Sequence, residues 1–129
     1  MEAVAIVTLL ALAQTFFYAY KVGEARAKHE VSAPNTAGGV DFECVFRVHQ
    51  NTVENLVIMV PAMWIFGRYI NPEIAAAIGL VWIVSRFIYR KDYLESPDKR
   101  GRGFAIGAVC IAALVLGGLI GAILSLVAA

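Results

Sequence analysis

Arg47, Asn51 and Glu54 follow one another at spacings of four and three, so on a helix their side chains share one stripe. A guanidinium, an amide and a carboxylate arranged this way can form a polar binding constellation. They can also brace the protein, with Arg47 paired to Glu54 or to a neighbouring helix. A second stripe, Arg86, Tyr89 and Tyr93 at spacings of three and four, offers two phenolic hydroxyls beside a cation; the plainer reading of the tyrosines is an aromatic belt at a membrane interface. Beyond it, "SPDKRGRG" sets Lys99, Arg100 and Arg102 around the start of a long apolar run. Cations there reinforce the positive end of a helix dipole, which weakens the helix but favours an anion. The ligand implied is small, polar and carboxylate-bearing, and an apolar co-substrate could reach it from lipid. Lys21, Arg26 and Lys28 add charge at the same level, where singly each serves as a membrane-surface anchor.

The elements that must position these groups are set by composition. Of 129 residues, 60% are hydrophobic and only 16% charged, too much apolar material for a soluble domain of this size to bury. The length suits one unit, residues 1–129, with lipid as its main solvent, and excludes a disordered or collagen-like chain. Eleven basic against ten acidic residues leave a net charge of +1, which points to no nucleic-acid partner.

Two spans are plain: Ala3 to Tyr20 and Gly103 to Ala129 carry no formal charge and are long enough to cross hydrocarbon as helices. Glu2 precedes the first run and aromatics close it, the reverse of a cleaved leader's flanks, so it is expected to span. Between them, Arg47 to Arg68 contains one internal charge, Glu54, and Glu73 to Arg86 contains none. "GRYINPE" separates these two runs, with Asn71 placed to cap the next helix and Pro72 in its first turn. The expected map is helix 2–24, connector 30–42, helices 43–68 and 72–94, turn 95–102 and helix 103–127: an all-α membrane protein built as a four-transmembrane-helix bundle. Residues 21–47 hold four Lys or Arg and residues 86–102 hold six, against Arg68 alone in the middle turn. The first and third connections are therefore expected on the cytoplasmic side, with both termini opposite.

Pro61 is expected to kink the second helix, and Gly103, Gly107, Gly117 and Gly121 to mark a close contact face on the fourth. Cys44 and Cys110 lie in unlike settings and make no disulfide framework. His29, His49 and Cys44 lack the spacing of a tetrahedral metal site, so no metal is expected.

"FRVHQNTVEN", residues 46–55, joined to the "RFIYRKDY" run of residues 86–93, closely resembles the signature of the membrane-associated proteins in eicosanoid and glutathione metabolism, the MAPEG family, and the resemblance extends over the whole chain. It implies a homotrimer of four-helix subunits with glutathione bound in the membrane between them, and membrane lipids around it. It implies that Arg47, Asn51 and Glu54 contact glutathione from the second helix, Tyr89 and Tyr93 from the third, Arg100 from the start of the fourth, and Arg26 from the first. Two positions depart from the pattern. Members of the leukotriene-C-synthase type carry a second arginine where this chain has Ala27, and an aromatic commonly stands where it has Asn55.

The activity implied is addition of glutathione to a hydrophobic electrophile, or reduction of a lipid hydroperoxide. Arg26 and Arg102 are the candidate catalytic residues, holding the thiol as thiolate. A bacterial inner membrane is the expected location. Ala27 and Asn55 keep open a noncatalytic glutathione- or lipid-binding role, which the same fold supports. A small multidrug exporter of four helices would place an acid inside the first helix, and Ala3 to Tyr20 contains none.

Overall fold

The computed structural model describes residues 1–129 as four long helices: α1 Glu2–His29, α2 Val40–Tyr69, α3 Pro72–Glu95 and α4 Gly101–Ala128, with a 3₁₀ turn at Pro97–Arg100 leading into α4. Each helix outruns its expected bounds on the polar side. α1 continues through Arg26, Lys28 and His29, basic residues that suit the negative end of the helix dipole, and stops where Glu30 turns left-handed at φ 57°. α2 starts at Val40 after Gly39, whose φ of 90° favours glycine, and Asp41 and Glu43 suit its first turn. The expected connector and third turn are correspondingly shorter.

The α2–α3 turn follows its sequence signals. The Asn71 side chain accepts from the Ile74 N–H at 2.9 Å, and Pro72 takes the first turn. Pro61 lies inside α2. So short a connection sets α2 and α3 side by side and antiparallel. α1 and α4 each pack against both of them.

The core runs through Val4, Val7, Met59, Met63, Trp82 and Leu114. The four α4 glycines expected to mark a contact face divide between two neighbours. A methyl group on Gly103 would fall 2.5 Å from the Tyr89 backbone nitrogen, and one on Gly107 3.0 Å from Ser85 Oγ, both on α3. Gly117 and Gly121 meet Phe66 and Ile70 at the far end of α2. This closeness is what small residues permit where lipid supplies no hydrophobic drive between helices.

The outer surface is apolar: Ile6, Phe16, Val57, Val84, Leu124 and Val127 are all exposed, a distribution that lipid rather than water solvates. α1, α3 and the Pro97–Ala128 segment are long and apolar enough to cross a membrane. α2 has the length, with 30 residues, and is free of charge from Asn55 to Gly67, but Arg47 and Glu54 interrupt its other half. The chain is thus an all-α bundle with three to four membrane-spanning helices, a multi-pass membrane protein.

Candidate functional site

The polar groups collect at the end of the bundle where α1 finishes, α2 begins and α3 turns into α4. On α2, Arg47 Nη1 meets Glu54 Oε1 at 2.9 Å and Gln50 Oε1 at 3.4 Å. The seven-residue separation is two helical turns, so the stripe read from the sequence is a physical pair, and the internal brace is realised. Glu54 nevertheless keeps 55% of its side chain exposed and Arg47 43%, so both remain open to a further partner.

Asn51, on the edge of the same stripe that borders the bundle, is buried. Its Oδ1 accepts from Arg86 Nη2 at 2.8 Å, and Thr52 Oγ1 accepts from the same guanidinium at 3.1 and 3.3 Å. Arg86 is completely buried, and its guanidinium carbon lies 4.2 Å from the centre of the Tyr89 ring, a cation–π contact. Tyr89 and Tyr93 follow with ring centres 5.4 Å apart, and Arg100 sits over Tyr93 at 5.8 Å. Asn51, Arg86, Tyr89, Tyr93 and Arg100 form an unbroken ladder from bundle core to surface. The sequence puts Arg86 on a stripe with the tyrosines; the structure turns it inward as their support. Gln14 and Tyr18 of α1 anchor that part of α3, donating to the Ile83 and Arg86 carbonyls at 2.9 and 3.1 Å.

A cleft of about 400 Å³ opens beside the ladder, and Arg47, Gln50 and Tyr93 line it with Phe46, Cys44 and Pro97. Arg47 and Tyr93, from different helices, thus share one concavity. Arg26 does not line it; its guanidinium lies 5.2 Å from the Phe42 ring centre and 6.0 Å from that of the cleft-lining Phe46, and Nη1 donates to the Asn35 carbonyl at 2.7 Å.

The three cations around the start of α4 do not act alike. Lys99 pairs with Glu95 at 2.6 Å, and Arg102 grips Asp92 with Nε at 2.6 Å and Nη2 at 3.1 Å. Both carboxylates come from the last turn of α3, and Asp92 is buried. Arg100 has no carboxylate partner and donates to the Pro97 carbonyl at 2.7 Å. The cationic end expected from the sequence is therefore largely neutralised in place, with Arg100 left over the cleft-lining tyrosine. Both pairs cross the break after α3, where Ser96 is extended, so helical periodicity gave a signal for neither. Arg102 keeps Nη1 free and two-thirds of its side chain exposed, but lies on the flank with Asp92 rather than with Arg47 and Tyr93. No cluster of three metal-binding side chains occurs.

The chain is 38% identical over 117 residues to the human protein microsomal glutathione S-transferase 2, covering 91% of this chain and 80% of that one. An uncharacterized protein of the cyanobacterium Synechocystis is 41% identical over 116 residues, 90% of this chain and 85% of its own. Leukotriene C4 synthase of Cavia porcellus is 34% identical over 96 residues, 74% of this chain and 64% of that enzyme. The sequence model of the MAPEG family matches residues 4–120, and this protein belongs to that family.

Proposed function

We propose that this protein is a membrane-embedded glutathione transferase that adds the glutathione thiol to hydrophobic electrophiles delivered by the lipid. The observation that carries this reading is the shared cleft of Arg47 and Tyr93, backed by the Asn51–Arg86–Tyr89 ladder. It brings cation, amide and phenol into one concavity, a set of groups suited to a carboxylate-bearing tripeptide. Similarity to microsomal glutathione S-transferase 2 over nine-tenths of the chain supports glutathione as the co-substrate.

In the transfer, thiolate sulfur bonds to the electrophilic carbon, the leaving group departs with its electron pair, and the thiol proton is lost to water. With a lipid hydroperoxide, two glutathione molecules reduce the peroxide to alcohol and water and become one disulfide. Arg47, Asn51, Glu54, Tyr89, Tyr93 and Arg100 hold the tripeptide. Arg26 and Arg102 supply the positive charge that favours thiolate over thiol. Each has an unengaged guanidinium nitrogen, Arg26 beyond its bond to Asn35 and Arg102 beyond its grip on Asp92.

The working assembly is a homotrimer. Glu54 and the neighbouring Val53, Val57 and Ile58 are exposed on α2, and a carboxylate on a spanning helix needs protein or water beside it rather than lipid. A second copy of the chain provides that cover. The first and third connections face the cytoplasm of a bacterial inner membrane, where glutathione can enter.

The ion pair of Arg102 with Asp92 and the alanine at position 27 favour one further reading, a glutathione or lipid binder without turnover. Purified protein assayed with an aryl halide and with a lipid hydroperoxide, with and without glutathione, separates the two. Turnover dependent on glutathione supports the transferase, binding without turnover supports the binder, and absence of binding overturns both.

A further inference from the structure

Arginine carries only donors, so whatever faces Arg86 must accept. Two oxygens do: Asn51 Oδ1 at 2.8 Å and Thr52 Oγ1 at 3.1 and 3.3 Å. The Thr52 hydroxyl already donates its proton to the Val48 carbonyl at 2.7 Å, which leaves its lone pairs for the guanidinium. The Asn51 amide is fixed in the same way, its oxygen inward and its nitrogen turned away. That nitrogen bonds to no group of the chain, and Asn51 keeps a narrow exposed edge, 8% of the residue, through which a ligand can meet it.

Arg86 itself is 0% exposed and no carboxylate pairs with it; Nη1 has no partner at all. A desolvated cation held only by neutral groups is costly inside a membrane bundle. Its neighbours are the backs of two residues in the ligand cleft's supporting ladder, Asn51 and Tyr89.

We propose that Arg86 is a positioning residue that sets the polarity of Asn51, so that the tripeptide meets an amide N–H donor there and an acceptor oxygen of the ligand, carboxylate or peptide carbonyl, is selected. The proposal rests on the glutathione reading above. Arg86 touches no substrate. Its charge locks a side chain that could otherwise rotate and offer either sign of hydrogen bond.

Asn51→Asp tests this with almost no change of shape. The variant keeps an oxygen toward Arg86, now as an ion pair, and puts an oxygen where the donor stood. In full-length protein in detergent or nanodiscs, the expected result is unchanged or raised thermal stability with glutathione affinity weakened by about tenfold or more, the scale of a lost hydrogen bond to a charged group. Arg86→Lys, with one point charge in place of a planar fork, is expected to raise the KM for glutathione several-fold while kcat at saturating glutathione stays within about twofold. A role for Arg86 confined to holding the bundle together would lower stability without this split. Wild-type affinity in Asn51→Asp overturns the proposal, and so does failure of that variant to fold, since a carboxylate facing Arg86 must be accommodated. If the wild-type protein binds no glutathione, the functional reading fails instead, and the two failures are distinguishable.

Discussion

Asp92 and Arg102 close on each other across the α3–α4 turn, with Nε to Oδ2 at 2.6 Å and Nη2 to Oδ1 at 3.1 Å. The carboxylate is buried and the guanidinium two-thirds exposed, so the pair is both a clasp on the turn and a neutraliser of one proposed thiolate-stabilising cation. Asp92→Asn keeps the shape and removes the negative charge. If Arg102 stabilises the thiolate, this variant raises the thiolate fraction of bound glutathione, read by ultraviolet absorbance, and Arg102→Gln lowers it. If Arg26 alone does the work, both variants leave the thiolate signal unchanged and only Arg26→Gln removes it. Arg102→Gln also leaves the Asp92 carboxylate without its partner, so a lower thermal unfolding midpoint is expected.

Arg47 and Glu54 serve as a brace and as ligand contacts at once, and an exchange of the two separates those roles. Arg47→Glu combined with Glu54→Arg can re-form the ion pair with its direction reversed. Half-exposed pairs of this kind contribute only about 0–1 kcal/mol, so thermal unfolding of the double variant is expected to stay close to wild type. Glutathione binding is expected to fall by at least about tenfold, because each charge now meets the wrong end of the ligand. Wild-type affinity in the exchanged protein would return the pair to a purely structural role.

The local features of this fold were legible because their physics is local. Asn71 and Pro72 mark a helix start by chemistry contained within four residues, and the Asn71 side chain bonds as that signal requires. The Arg47–Glu54 stripe needs only helical periodicity. Arg86 with Asn51 is different: their side chains are 35 residues apart, and periodicity leaves open whether a stripe turns to the cleft or to the bundle. The same limit applies to Asp92 with Arg102, and to the α4 glycines, whose four-residue spacing identifies a contact face but not that α3 takes one pair and α2 the other. The helix ends were underestimated because apolarity marks the lipid-crossing part of a helix, whereas backbone hydrogen bonding continues into the charged turns beyond it.

Gly103 and Gly101 lie two residues apart at the start of α4 and should respond oppositely to a methyl group. At Gly103 the new carbon would fall 2.5 Å from the Tyr89 nitrogen and 2.6 Å from its α-carbon, backbone atoms that cannot rotate aside. Gly103→Ala is expected to cost about 1–3 kcal/mol and, by displacing Tyr89, to raise the KM for glutathione. Gly101 has nothing within 4 Å, and alanine there improves helix propensity, so Gly101→Ala is expected to be neutral or stabilising by up to about 1 kcal/mol. Thermal unfolding in detergent, run on both variants, checks the contrast.

Ala27 is exposed on the last turns of α1, in a groove of about 610 Å³ shared with Lys28, Arg90 and Asp41. The resemblance to the leukotriene-C-synthase type places an arginine at this position, beside the residue matched by Arg26. Nothing in the packing forbids it: the site is open, and arginine suits the negative end of the α1 dipole. Ala27→Arg is therefore expected to fold normally. A second cation next to Arg26 is expected to increase the thiolate fraction of bound glutathione and to raise kcat with an aryl halide about two- to tenfold, with little change in KM for glutathione, because the added charge acts on the reacting sulfur. A rise in thiolate without a rise in kcat would mean that product release limits turnover. No change in either would separate the α1 end from the reacting sulfur and shift the assignment to Arg102.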